Sequence, residues 1–572
     1  MSKRTKRVVI SFIIITVCLS AHLGYKSFAD CRKSNKKALV LDVFDSQANY
    51  QGLQSGWYAK LIKDKFNIEL NIIAPNVAGG GNKLFQTRCA NGNLGDIIIT
   101  NLDQSRLKDL VSSDLILDFT PYMDNCPNLK KYEKAILKAS SLAEIKGMWA
   151  VPSEISSLNS SKPCNAIEPT VAPSIRWDIY TAIGSPNIKN SKEFLRVLKR
   201  MQDYANAQNN GEKIYSISLF HDWDNDSMQN TDAIRGMYGF TQIGFAFPRA
   251  DGSCIQSIID NDGIYKEALR FFYEANKLGL VDPDSYNQTF DMVAQKYKEG
   301  RILYSFWPWL GAGHYNTVEH IEEGKGFATV IIDDMKCLEY GCMPDGKVGT
   351  GIMMGRNCED PQRVAEFIDW LYSFEGIMAS ETENGSTAGP KGICWDIVDD
   401  KPVITSLGEK LIVNGEDIPL PKSLGEGTWR DGCCALNYKS VGVLNKDEDT
   451  GISYNYLTWD DYKKKTATKL SQSWQAYYNT SLLPIEYLSN KNMLMVFPGD
   501  NIAMPDYSPE LVAIKEKCRQ IIIDYSWKMV FAKDDEKFES YFKDMVKMVK
   551  SIGFDKVFEE DYARSRSIID KH

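Results

Sequence analysis

Five stretches stand in this order through the middle of the chain: Arg176-Trp177-Asp178; Ile183-Gly184-Ser185-Pro186; Lys213-Ile214-Tyr215-Ser216-Ile217-Ser218-Leu219-Phe220; Ala275-Asn276-Lys277-Leu278-Gly279-Leu280-Val281-Asp282-Pro283-Asp284-Ser285; and Tyr304-Ser305-Phe306-Trp307-Pro308-Trp309. Between the second and third, Phe194, Leu195, Leu198 and Met201 recur at helical spacing and make one apolar face. Ile214 to Phe220 is a short apolar run that reads as a strand. Ala268, Leu269, Phe272 and Ala275 line a second helix, and Gly279 supplies its left-handed cap. Asp282-Pro283-Asp284 then turns the chain. Arg301 to Phe306 is a further strand, expected to return toward a first, N-terminal lobe. Strands that alternate with amphipathic helices predict an α/β unit.

The same alternation holds on the N-terminal side. Ala38 to Phe44, Ile68 to Ile73 and Gly95 to Thr100 read as buried strands. A helix starts near Gly56-Trp57-Tyr58, another covers Leu107 to Val111, and the loop Gly79-Gly80-Gly81 follows the second strand. This is a first lobe, and the short strand Gly147 to Pro152 leaves it through the polar stretch Ser153 to Pro163. Beyond Trp309, Ala328 to Ile332 and Val348 to Met354 read as strands, and Pro361 opens a helix containing Val364, Ile368 and Leu371. Residues 385 to 451 are rich in Gly, Asp and Pro and read as long surface loops, whereas 510 to 570 are mostly helical. The organisation expected is a leader over 1–29, a first lobe over 30–152, a second lobe over 153–305, a return to the first over 306–384, and second-lobe loops with C-terminal helices over 385–572. Two lobes joined by crossing strands can bend about those crossings, and a cleft between lobes is a usual ligand site.

A chain of 572 residues exceeds one simple core. Hydrophobic residues at 43% and charged residues at 25% match a soluble globular protein. A net charge of −8 argues against a nucleic-acid partner, which needs a basic surface. Lys3, Arg4, Lys6 and Arg7 precede the apolar run Val8 to Gly24, and Ser27-Phe28-Ala29 offers small residues for signal cleavage after Ala29. Export to the extracellular face of the membrane, or secretion, is expected; an uncleaved anchor is the alternative. The 13 cysteines permit disulfides outside the cell, with Cys337–Cys342 and Cys89–Cys126 as candidate pairs, but no spacing fixes connectivity.

Catalytic and metal motifs are missing. The Gly79-Gly80-Gly81 loop lacks the pattern of either phosphate-binding loop. Asp222-Trp223-Asp224-Asn225-Asp226 starts like a calcium loop, but Ser227 and Ala233 stand where Gly and Glu are required, so a solvated turn is expected, with a loose structural calcium site made by other ligands as the alternative. There is no Cys-x-x-Cys, no His-Glu-x-x-His and no Gly-x-Ser-x-Gly, and only five histidines. No cofactor and no resident metal are expected, and no enzymatic activity. A secreted glycoside hydrolase would need two carboxylates flanking a bond, and linear sequence selects no pair.

The tryptophans are the positive signal. Trp177, Trp223, Trp307, Trp309, Trp395 and Trp429 sit beside turn residues or at predicted strand ends, whereas Trp370 falls inside an apolar helix face and reads as core. A sugar offers a C–H face to an aromatic ring and a hydroxyl edge to polar groups. Polar candidates at matching strand ends are Asn101, Asp103, Glu154 and Arg176, with Asp224 beside Trp223.

The order of these elements resembles the extracellular solute-binding proteins of ABC transporters, family 1, the carbohydrate type with its lipoprotein (LipO/LplA-like) branch. The resemblance runs from about Lys37 to Ser567 and includes Gly300-Arg301-Ile302-Leu303-Tyr304-Ser305, Gly389-Pro390-Lys391-Gly392 with Trp395 and Asp396, Tyr525-Ser526-Trp527 and Gly553-Phe554. Cys18 follows Val17 and Cys31 follows Asp30, neither of which suits a lipidated cysteine. The resemblance implies an α/β, bilobed, periplasmic-binding-protein-like (type II) fold whose lobes are joined by hinge strands and followed by C-terminal helices. It implies a monomer that captures a carbohydrate or oligosaccharide between its lobes and hands it to permease subunits and their ATPase. It also implies that the loops bearing Asn101, Asp103, Glu154, Arg176, Trp177, Trp223, Asp224, Trp307, Trp309, Trp395 and Trp429 face the cleft. A sensory ligand receptor would use the same fold.

Overall fold

Three apolar runs near the N-terminus form the parallel heart of a sheet. The computed structural model describes residues 37–571 apart from 79–80, 210, 383–386 and 500–506, so the leader, with Ala29 and its flanks, and most of the Gly79-Gly80-Gly81 loop lie outside the described residues. Strand Leu39–Asp45 pairs in parallel with Ile68–Ile73 (Leu41 opposite Leu70) and with Ile97–Thr100 (Phe44 opposite Ile98). Every residue of Ile97–Thr100 is buried, as a strand covered on both faces requires. Lys347–Met354 joins antiparallel, with Gly351 opposite Thr100, and the order across the sheet is Gly52–Leu53, Ile68–Ile73, Leu39–Asp45, Ile97–Thr100, Lys347–Met354, Val151–Ser153.

The chain divides into two compact units. Unit 1 holds this sheet and comprises the chain up to Ser153, Val348–Pro390 and Gly415–Ser440. Unit 2 comprises Glu154–Lys347, Lys391–Asn414 and Val441–His572. This division differs from the expected one most in two places. Residues 306–347 stay with unit 2, because Tyr304–Ser305 and Phe327–Thr329 both pair antiparallel with Ser174–Arg176 and close a small sheet there. Residues 415–440 belong to unit 1, where Trp429 stacks on Trp57 and the Tyr438 hydroxyl bonds to the carbonyls of Val151 and Pro152.

Unit 2 surrounds one large apolar core. Helix Ser191–Gln208, capped by the Asn190 side chain, buries Phe194, Leu195, Leu198 and Met201. Helix Ile264–Lys277 buries Ala268, Leu269, Phe272 and Ala275. It ends in a left-handed Gly279 (φ +68), with the Leu280 amide donating to the Ala275 carbonyl and the Gly279 amide to that of Asn276. Full burial of each large side chain contributes roughly 1.5–3 kcal/mol. Helices Pro509–Val530, Asp535–Ile552 and Phe554–Ile569 finish the chain and add Trp527, Phe538 and Phe542 to that core. Residues 391–414 contain a hairpin, Trp395–Val398 with Lys401–Ile404.

The run Ile214–Phe220 makes only isolated bridges, Tyr215 to Ile302 and Ile217 to Val281, instead of a strand. Side chains take its backbone groups: Asn206 bonds both the amide and the carbonyl of Ile214, Gln202 accepts from Ser216, Ser285 from Leu219 and Asn230 from Phe220. All described cysteines are free thiols, including Cys89, Cys126, Cys337 and Cys342.

Candidate functional site

In unit 2, four aromatic rings meet at the surface. Trp223 lies in the turn after Phe220, and its indole stacks on Phe290 (4.2 Å, 15°). Trp309 stacks on Trp307 (5.5 Å, 14°) and stands 6.2 Å from Trp223 at 24°. Trp307 is 6% exposed and anchors the group, whereas Trp223 (41%) and Trp309 (49%) offer open surface. Two local devices fix the rings. The Phe290 amide donates to Asp222 Oδ1 (2.8 Å), which ties the turn to the first residue of helix Phe290–Lys298. Pro308 opens helix Pro308–Tyr315, and Ser305 Oγ donates to the Trp307 carbonyl while accepting from the Gly311 amide. Near-parallel, half-open indoles on a buried anchor make a flat apolar surface suited to the C–H face of a sugar ring.

The carboxylates of the acidic turn beside this surface are bonded within the protein. Asp224 accepts from Trp527 Nε1 (2.6 Å) and the Gln229 amide, Asp222 from Phe290, and Asp226 pairs with Lys515 at 2.8 Å. The three carboxylates thus serve separate partners, and no group of three or more metal-ligating side chains occurs among the described residues. Burial pushes the Asp224 carboxyl up to about 6 against the pull of its hydrogen bonds. Instead of facing solvent as the expected turn would, Asp224 is tied to helix Pro509–Val530 through Trp527.

The other expected residues are placed differently. Trp177 is fully buried, with Nε1 donating to Ser473 Oγ and Tyr180 and Tyr477 against its ring. Trp395 is fully buried beside Trp459. Trp429 is 5% exposed and stacks on Trp57 at 4.8 Å. These rings have no open face in this structure; turn residues beside a tryptophan mark the end of an element and say nothing of what covers it. Arg176 is also buried, bonded through Nε and Nη2 to both oxygens of Asp178 and lying over Tyr315. Glu154 is held at φ +52 and pairs with Lys347 at 3.1 Å.

Asn101 and Asp103 lie in unit 1, where the strands ending at Asp45, Ile73 and Thr100 run parallel and finish together. A crevice of about 280 Å³ opens there, lined by Ser46, Gln47, Asn82, Thr100, Asn101 and Arg106 among others. Crevices at the carboxyl ends of parallel strands are the usual ligand position in open α/β sheets. Gln47 Nε2 donates to Asn101 Oδ1 at 3.5 Å. Asp103 caps helix Gln104–Ser112 by accepting from the Arg106 amide at 2.7 Å, so it shapes the crevice without lining it. Phe290, Gln47, Asn82 and Arg106 escaped the sequence reading. The signal for Phe290 was its position at a helix start after Thr289; nothing local marked the others.

No family model matches the chain, and no curated protein matches it. Solved structures do share its fold. The alginate-binding protein AlgQ2, in a structure without calcium ion, matches with a TM-score of 0.58 at 13% identity, covering 94% of this chain and 99% of that one. The S. pneumoniae ABC-transporter substrate binding protein FusA, in complex with kestose, gives 0.60 at 11%, covering 93% and 100%. An HMO binding, ABC-transporter associated solute binding protein from Bifidobacterium longum infantis gives 0.52 at 13%, covering 93% and 99%. The chain therefore has the mixed α/β, bilobed solute-binding protein fold.

Proposed function

We propose that this chain is the extracellular solute-binding component of an ABC importer and that its ligand is a carbohydrate or oligosaccharide. The observation that carries this reading is the Trp223–Trp309 surface, two half-exposed indoles held nearly parallel over Phe290 and Trp307. The fold supports it, since the similar structures named above are described as binding alginate, kestose or HMO. The sequence resemblance points to the family 1, lipoprotein-like branch. In this reading the chain is an exported monomer, its partners are permease subunits and an ATPase, and it binds its sugar without cleaving it. Ligand contacts favour one conformation, which the permease recognises.

The test is a thermal-shift screen of the chain from Asp30 onward against plant and microbial oligosaccharides, followed by chromatography of each sugar that binds. A ligand that binds only the folded chain raises its melting temperature. A shift with the sugar recovered intact supports the reading. Shortened products would replace it with a glycoside hydrolase, and no shift with any sugar would remove carbohydrate as the ligand.

A further inference from the structure

The unit 1 crevice has a chemical bias. Of its lining residues, Arg106 is the sole charged one and no carboxylate is present, in a chain whose net charge is −8. Arg106 is fixed from two sides: Nη1 donates to Thr100 Oγ1 at 2.9 Å, and the guanidinium lies 4.8 Å over the Phe85 ring. Its Nε faces Asp103 Oδ2 at 3.8 Å, in the adjoining crevice. Nη2 has no partner among the described residues. Asn101 Oδ1 accepts from Gln47 Nε2, and Asn101 also brings its Nδ2 donor to the crevice. Helix Gly81–Ala90 starts at this crevice with Gly81 and Asn82, adding the positive end of its dipole.

A sugar hydroxyl both donates and accepts, and a carboxylate is the natural acceptor for its proton. A lining whose one charged group is a guanidinium suits an acceptor-only anion instead. We propose that the crevice is a subsite for an anionic substituent, a carboxylate or a sulfate, on a sugar ligand, and that Arg106 determines this specificity. The inference rests on the carbohydrate-binding reading above.

The test is calorimetric titration of the full chain with a panel of uronate trisaccharides (galacturonate, mannuronate, glucuronate), their carboxyl-reduced neutral counterparts, and a sulfated galactotriose. The wild type is expected to bind at least one anionic sugar tenfold or more tightly than its neutral partner. Arg106→Gln is expected to abolish that preference, and Arg106→Lys to retain part of it. Uronates and sulfated sugar are separate arms and identify the group. Melting of each unliganded variant is measured alongside; if Arg106→Gln does not fold, Arg106→Lys and the wild-type pairs decide. Neutral sugars binding as well as the anionic ones, or Arg106→Gln weakening both alike, overturns the inference and leaves the carbohydrate reading standing. Binding of no sugar at all overturns both.

Discussion

The ring of Phe290 lies flat beneath Trp223, 4.2 Å between centroids, and the same residue's amide holds the Asp222 side chain that shapes the Trp223 turn. One residue thus supplies both the floor of the aromatic surface and the clamp that orients it. Replacing Trp309 by Ala removes a half-exposed ring and leaves this support intact. We expect folding stability to change by no more than about 0.5 kcal/mol and sugar affinity to fall at least about tenfold, or ~1.4 kcal/mol. Titration calorimetry on Trp309→Ala, with its urea midpoint, separates the two effects. Unchanged affinity for a sugar the wild type binds would remove this surface from the site.

Trp429 should behave in the opposite way. It is 5% exposed, stacks on Trp57 at 8°, and its carbonyl accepts from Trp57 Nε1 at 3.0 Å. Trp429→Ala leaves a cavity in unit 1, and a loss of about 3–5 kcal/mol is expected. Denaturant unfolding followed by tryptophan fluorescence measures it; a loss below about 1 kcal/mol would mean the stack is dispensable.

Lys296 tests a buried ion pair. Its ammonium lies 2.6 Å from Asp282 and 2.9 Å from Asp284, and the Asp282 side chain is 3% exposed. Removing one partner strands the other charge, so Lys296→Met is expected to cost about 3–5 kcal/mol. The double variant Lys296→Met/Asp282→Asn should recover part of that loss. Thermal melts of the three proteins give the comparison, and a double variant worse than the single one would contradict it.

Asp45 gives a prediction in pH. It is fully buried at the end of its strand, and burial raises its carboxyl to about 6 despite hydrogen bonds from the Asn437 and Gln47 amides. Between its ordinary value of 3.8 and about 6, the folded chain holds a proton that the unfolded chain has released. Stability from this group therefore falls as pH rises through that window, by on the order of 3 kcal/mol in all. Asp45→Asn should flatten the urea midpoint between pH 4 and 6 relative to wild type. Identical slopes in both proteins would refute the linkage.

Periodicity and caps in the sequence located most elements. The three parallel strands, the 191–208 and 264–277 helices and the glycine cap at 279 were all legible, because each carries its apolar pattern or its cap within a few residues of sequence. Ile214–Phe220 has the apolar pattern of a strand, but only isolated bridges form: the Tyr215 and Ile217 amides reach the Arg301 and Leu280 carbonyls, while those of Ser216, Leu219 and Phe220 go to the side chains of Gln202, Ser285 and Asn230. Among the tryptophans, local context could not distinguish Trp309 from Trp177. Both sit beside helix starts, and only the arrival of Tyr477 and Ser473 closes over Trp177. Arg106 was invisible for the same reason, since its meaning comes from the strand end at Thr100 and the ring of Phe85.

Unit 1 is assembled from three separated stretches, the last of them Gly415–Ser440. A chain emerging from its N-terminus presents Trp57 some 372 residues before the ring that covers it. Until then a sticky aromatic edge stands open to any passing apolar surface. A truncation anywhere before residue 440 therefore leaves unit 1 unfinished however complete its sheet.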